Sequence, residues 1–172
     1  MRDPARVFPS LDEPDEVTTL RVWHCKYKTL EPIADLKRLE GLAIATFPDE
    51  TLEPIGQLDS LRYLWLMHAP KVADLDPLGG LAVLEVLSIA TLPSWDAGGR
   101  VMEVESLRPL AALPNLRHLE LFGVRSSDGS LSALETSTTL ESVRVSKYVP
   151  SEVDRFRNAS GASDACAPEP WF

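Results

Sequence analysis

"LEPIADLKRLEGLAI" occupies residues 30–44 and "LEPIGQLDSLRYLWL" occupies residues 52–66, so the chain nearly repeats itself after 22 residues. Looking for such self-similarity comes first, because missing it miscalls the whole fold. The second half of each stretch reduces to L-x-x-L-x-L, where L is any aliphatic residue. That pattern recurs at Val17/Leu20/Val22, Leu39/Leu42/Ile44, Leu61/Leu64/Leu66, Leu84/Leu87/Ile89, Leu116/Leu119/Leu121 and Leu140/Val143/Val145. Successive copies lie 22, 22, 23, 32 and 24 residues apart.

Aliphatic positions three apart precede each copy from the second on: Leu30/Ile33/Leu36, Leu52/Ile55/Leu58, Leu75/Leu78/Leu81, Leu107/Leu110/Leu113 and Leu131/Leu134. Four of these runs carry proline two residues after the first aliphatic, at Pro32, Pro54, Pro77 and Pro109. The ends keep the step of three, with Phe8/Leu11/Pro14 before Val17 and Val153/Phe156/Ala159 after Val145. The L-x-L alternation marks a short strand with one buried face. The i, i+3, i+6 run suits a tight helical turn, with proline where no N–H is needed. One such unit cannot close a core; stacked units bury a continuous aliphatic column. Each strand returns through its own turn, so the strands must run parallel.

These residues resemble the leucine-rich repeat family from about residue 7 to residue 156. The phrasing is similar to the class found in internalins and in small regulatory scaffold proteins. The resemblance implies an α/β solenoid, a right-handed horseshoe segment with about six parallel strands on the concave face and short 3₁₀ or α turns on the convex face. Residues 1–16 would be an N-terminal capping half-repeat, 17–148 the repeats with an insertion loop at 91–106, 149–159 a C-terminal capping segment, and 160–172 a flexible tail. One feature departs from the family, which places Asn or Cys three residues after the last strand aliphatic to bond backbone groups in a ladder. Here those positions hold Cys25, Phe47, Ala69, Leu92, Val124 and Tyr148, and only Cys25 matches. Apolar packing is therefore expected to hold the turns.

In this register one strand residue in two points outward. The first strand offers Thr19, Arg21 and Trp23; the second Gly41, Ala43 and Ala45; the third Tyr63, Trp65 and Met67. The fourth offers Val86, Ser88 and Ala90, the fifth His118, Glu120 and Phe122, and the sixth Ser142, Arg144 and Ser146. Large residues thus alternate with small ones, giving ridges and furrows about 4.8 Å apart. Exposed Tyr, Trp and Met together are what interface cores favour, and Arg21, Glu120 and Arg144 would orient a partner at the rim. The alternative is that Trp65 folds over Ala43 and Ser88 to cover sheet backbone.

The 32-residue interval holds an extra segment within "TLPSWDAGGRVMEVES", residues 91–106. Gly98 and Gly99 signal a reversal. Two placements compete: the loop overhangs the concave face and brings Trp95 near Trp65 or Phe122, or Trp95 and Met102 pin it to the convex core.

The formal charge of −9, from 26 acidic and 17 basic residues, disfavours nucleic acid and anionic membranes and would attract a basic partner. No apolar run approaches a membrane span, and the acidic, proline-rich start is not a secretory signal. Cys25 and Cys166 form no disulfide framework, so a reducing cytoplasm is the expectation. No nucleotide, metalloprotease or nucleophile-elbow motif is present. His24 and His68 occupy equivalent positions two repeats apart, too far to share a metal. A His24/Cys25 pair would point to opposite faces. No enzyme, cofactor or metal site is expected.

The tail "RNASGASDACAPEPWF" is small and polar, and is expected to be mobile. Its final Trp171-Phe172 could instead dock on the open end of the sheet or serve as a linear motif. The sequence thus points to a cytoplasmic module that binds a protein or peptide. The expected contact residues are Arg21, Trp23, Tyr63, Trp65, Met67, Trp95, His118, Glu120, Phe122 and Arg144. The competing readings are a scaffold that self-associates, for example as an edge-to-edge dimer, and an acidic inhibitor or immunity-type antagonist of a basic toxin.

Overall fold

The computed structural model describes residues 5–23 and 25–172, so His24 and residues 1–4 lie outside the described residues. Eight strands are found among these residues: β1 Thr19–Val22, β2 Gly41–Ile44, β3 Tyr63–Leu66, β4 Val86–Ala90, β5 Met102–Val104, β6 His118–Phe122, β7 Val124–Ser126 and β8 Ser142–Val145. One parallel sheet has the order β1-β2-β3-β4-β6-β8, and β5 pairs with β7 in a second, two-stranded sheet. The register follows the repeat spacing, aligning Leu20, Leu42, Leu64, Leu87, Leu119 and Val143 across the main sheet. Leu42, Leu64, Leu87 and Leu119 are fully buried.

The convex side is built from short helical turns: 3₁₀ turns at Glu31–Asp35, Asp76–Gly80 and Ser132–Thr136, and single α-turns α1 Glu53–Gly56 and α3 Arg108–Ala111. Four carry as their second residue the prolines singled out by the sequence, whose fixed φ and missing N–H suit the first turn of a helix. Each turn is also entered through a short polar side chain that accepts a hydrogen bond from the backbone two residues on. Thr29 receives Glu31 N–H at 3.0 Å, Thr51 receives Glu53 N–H at 3.2 Å, and Asp74 receives Asp76 N–H at 2.8 Å. Ser106 receives Arg108 N–H at 3.1 Å, and Ser130 receives Ser132 N–H at 3.1 Å. These local Asx- and ST-type bonds fix each turn. Apolar packing works beside them: Phe47, Ala69 and Val124, three of the positions where the family ladder would stand, are buried.

The spine is one cluster running from Phe8 to Ala162. At its start, Phe8 packs edge-on against Tyr27 with centroids 5.4 Å apart. At its end, α4 Pro150–Ser160 buries Phe156. Glu152 on α4 accepts Leu131 N–H at 2.6 Å and pairs with Arg155, which also reaches Glu135 at 2.5 Å. The Arg155 guanidinium and the Leu131 amide hold the Glu152 carboxyl down at about 2.

Two segments depart from expectation. Residues 91–106, read as a loop, contain α2 Pro93–Ala97 and β5. Strand β5 forms because β6 turns sharply at Gly123 (φ +71°) and continues as β7, offering a partner edge. The second departure is the segment 160–172, read as mobile: the structure lays it against the main sheet. Ser163 bridges to Ser142, and Val143 N–H donates to its carbonyl at 2.9 Å, so the outer edge of β8 is partly paired.

Candidate functional site

The concave face has three outward columns. In the middle column, β2 contributes Ala43 between Arg21 of β1 and Trp65 of β3. Because Ala43 and the following Ala45 are small and buried, Trp23 and Trp65 meet over β2 with ring centroids 5.5 Å apart, tilted by 48°. Trp65 thus meets Trp23 above β2 and also lines a cavity on the side of β4. That cavity, about 410 Å³, is lined by Trp65, Met67, Ser88 and Phe122 among others. Pro93 of α2 stands at its margin, and residues 167–170 border it as well.

The segment 163–172 crosses the strands from β8 toward β1. Ala167 N–H donates to the Glu120 carboxylate at 3.2 Å. Tyr63 meets Trp171 and Phe172 edge-on, with centroids 5.7 and 5.8 Å away. Phe172 lies on Gly41, where a Cβ would collide with its ring. The Arg21 guanidinium donates to the Phe172 carbonyl oxygen and lies over its ring at 5.2 Å, while Arg62 lies over Trp171 at 5.9 Å. Tyr63, expected to be open to solvent, is therefore only 5% exposed. Burial, with Glu120 and Glu169 nearby, raises its phenol above the usual value.

Neither a protein-family model nor a curated protein matches the chain. Solved structures do. An internalin C2 from Listeria monocytogenes superposes with a TM-score of 0.58 at 24% identity, over 77% of this chain and 53% of that one. An internalin (inlF) from the same organism superposes with a TM-score of 0.58 at 23% identity, over 83% and 38%. This is an internalin-like leucine-rich repeat fold. The chain spans about half the length of the first internalin and less of the second.

Within this leucine-rich repeat sheet the expected contact residues separate into groups. Trp23, Trp65, Met67 and Phe122 form one aromatic and thioether bank. Arg21 and Tyr63 lie beneath the docked segment. Glu120 and Arg144, expected to orient a partner at the rim, pair with each other at 2.9 Å, and Arg144 also covers the Phe122 ring at 5.1 Å. Glu120 additionally accepts from Ser88 Oγ at 3.2 Å, so this carboxylate organises the floor of the repeat face. His118 shares a hydrogen bond with Ser142 through Nδ1 at 2.9 Å.

Trp95 packs elsewhere. Its ring stands edge-on to His68, centroids 4.7 Å apart, rather than joining Trp65 or Phe122. Met102 is buried in the core, as the pinning alternative held, while Thr91 and Pro93 of that stretch reach the cavity margin. His68 is 6% exposed with an unpartnered Nδ1, and burial lowers its pKa below 6.5. Sequence reasoning brought Thr91 and Pro93 to the site only as part of the 91–106 loop, and did not name Gly41, Pro168, Glu169 or Pro170 there. The small side chains of β2 were legible as a furrow; what fills it was not. Among the described residues, no three His, Cys, Asp or Glu side chains converge as metal ligands, and no helix is long and apolar enough to cross a membrane.

Proposed function

We propose that the chain is a non-catalytic protein-interaction module that binds a protein or peptide on its concave sheet. The observation that carries this reading is the cavity lined by Trp65, Met67 and Phe122, extended by the Trp23–Trp65 pair. Aromatic and methionine side chains gathered in one partly desolvated recess are the composition of interface anchors. The recess is open on one side, which suits an inserted side chain or an extended segment more than an engulfed metabolite. The net charge of −9 favours a basic partner surface around the anchor contacts. Free Cys25 and Cys166 fit a reducing compartment.

The test is co-purification from the native cell with the unaltered chain and with Trp65→Ala/Met67→Ala. Loss of one specific partner, with thermal unfolding still cooperative, is the expected result. Anchor residues of this kind cost about 2 kcal/mol or more on truncation, roughly thirtyfold in affinity. Retention of every partner by the folded variant would overturn the reading.

A further inference from the structure

The segment at 167–172 is Ala-Pro-Glu-Pro-Trp-Phe, and its seat has features that a chance surface contact would lack. Its deepest contact fills a furrow left by a glycine: Phe172 rests on Gly41, and any larger residue there would strike the ring. Its aromatic rings are gripped from three directions, by Tyr63 edge-on and by Arg21 and Arg62 as cations. Its backbone is read at two points, the Phe172 carbonyl by Arg21 and the Ala167 amide by Glu120. The two prolines restrict the segment to extended conformations, so little ordering entropy is lost on docking. Trp171 stays 57% exposed, which makes Phe172 the anchor and Trp171 its flank.

We infer that this half of the concave face is a recognition site for extended peptides in which proline precedes an aromatic pair, and that residues 167–172 are an intramolecular occupant of that site. The inference rests on the concave-face reading above and names the class of ligand for it. The selectivity follows from the contacts. Gly41 and Tyr63 require a flat ring at the last position. The two arginines favour aromatic over aliphatic side chains through their cation–π contacts. Glu120 requires a free backbone N–H at the position before the first proline. A partner peptide of this class must displace the chain's own segment, which tethering holds at a local concentration of about 1 mM.

The test uses the whole 172-residue chain. Trp171→Ala/Phe172→Ala takes the two rings out of their seat without shortening the protein. A fluorescent, amidated peptide of sequence Ala-Pro-Glu-Pro-Trp-Phe is titrated by anisotropy into this released chain and into the unaltered one. The released chain is expected to bind, and the unaltered chain to bind about tenfold more weakly, the ratio expected if free peptide binds at about 100 μM. Gly41→Val on the released background is expected to abolish binding while circular dichroism stays unchanged. A peptide with both aromatics replaced by alanine is expected not to bind. The inference is overturned if the folded, released chain ignores the peptide, if both chains bind it equally, or if Gly41→Val binds as well as its parent. Should the peptide fail while Trp65→Ala/Met67→Ala still loses a partner, the ligand class falls and the concave-face reading stands.

Discussion

The stretch from Leu30 to Leu66 and the stretch from Thr91 to Leu121 perform the same task with different amounts of chain. The first holds two strands and two convex turns at a strict 22-residue period. The second needs 32 residues from one strand to the next, yet β4 and β6 pair directly, with Leu87 opposite Leu119. The main sheet does not register the insertion at all. The extra residues fold aside into α2 and β5, and β5 is tied to the repeat spine through its pairing with β7 and through Glu105 N–H on the Ala73 carbonyl at 2.9 Å. A solenoid tolerates this because each unit contacts only its neighbours, so an excursion on one edge leaves the stacked column intact. The spine sets stability, while the excursion shapes the margin of the site through Pro93.

The sharpest way to break this division is to cut methyl groups from each part. Leu64 and Val104 are both fully buried. Leu64→Ala, at the middle of the spine, is expected to cost about 2–5 kcal/mol in urea denaturation, since stacked neighbours on both sides limit relaxation. Val104→Ala in the second sheet removes two methyls and is expected to cost about 1.6 kcal/mol. Val104 shares the core cluster with Leu64; if Val104→Ala were nonetheless the more damaging of the two, stability would centre on the excursion and not on the repeats.

The joint between the two regions is Gly123. Its φ of +71° bends β6 into β7, its N–H donates to Ser146 Oγ at 2.7 Å, and the Thr91 side chain fills the space a Cβ would occupy. Gly123→Ala is expected to cost about 1–3 kcal/mol from the strained backbone and the contact together. Thr91→Ala should recover the steric part and leave the backbone part, a non-additivity visible in a double-mutant cycle. Additive costs would mean that the bend does not depend on this close approach.

The same contrast explains what the sequence made readable. Register and core came from periodicity alone, because a one-residue slip would turn every leucine of a strand to the wrong face. The polar residues that open each convex turn were also in view: Thr29, Thr51, Asp74, Ser106 and Ser130 each stand directly before the first aliphatic of a run. Their role escapes a reading centred on the asparagine position of the family, because here the hydrogen bonds stand at another place in the unit. Strand β5 left a weaker trace, the alternation of Met102 and Val104, which is too short to separate from a loop without its partner. The docked segment left only its final Trp171-Phe172, which the sequence offered for docking on the open end of the sheet and which instead meets Gly41 and Tyr63. Composition marks "APEPWF" as solvated, and only the three-dimensional meeting of Gly41, Tyr63, Arg21 and Phe172 reveals a seat. Periodic units announce themselves; a single complementary contact between distant segments does not.

The smallest expected effect probes how firmly the excursion is attached. Trp95 leans on His68, whose imidazole is buried, lacks a partner at Nδ1 and has a pKa below 6.5 in the folded chain. In the unfolded chain the ring takes up its proton near 6.5. The unfolded state therefore binds the proton first as pH falls, so the contribution of His68 is complete above pH 6.5 and is lost as the pH drops through the lower folded value. The expected loss is small, because burial alone lowers the group's pKa and no charged neighbour adds to the effect. It should appear as a fall in thermal stability below pH 6.5, accompanied by a change in Trp95 fluorescence, read by difference against Trp95→Phe. His68→Phe keeps an aromatic platform that cannot titrate and should flatten both changes over that range. Identical pH profiles for His68→Phe and the unaltered chain would show that the excursion is held by Met102 and β5 alone, and that the Trp95–His68 contact follows its position without securing it.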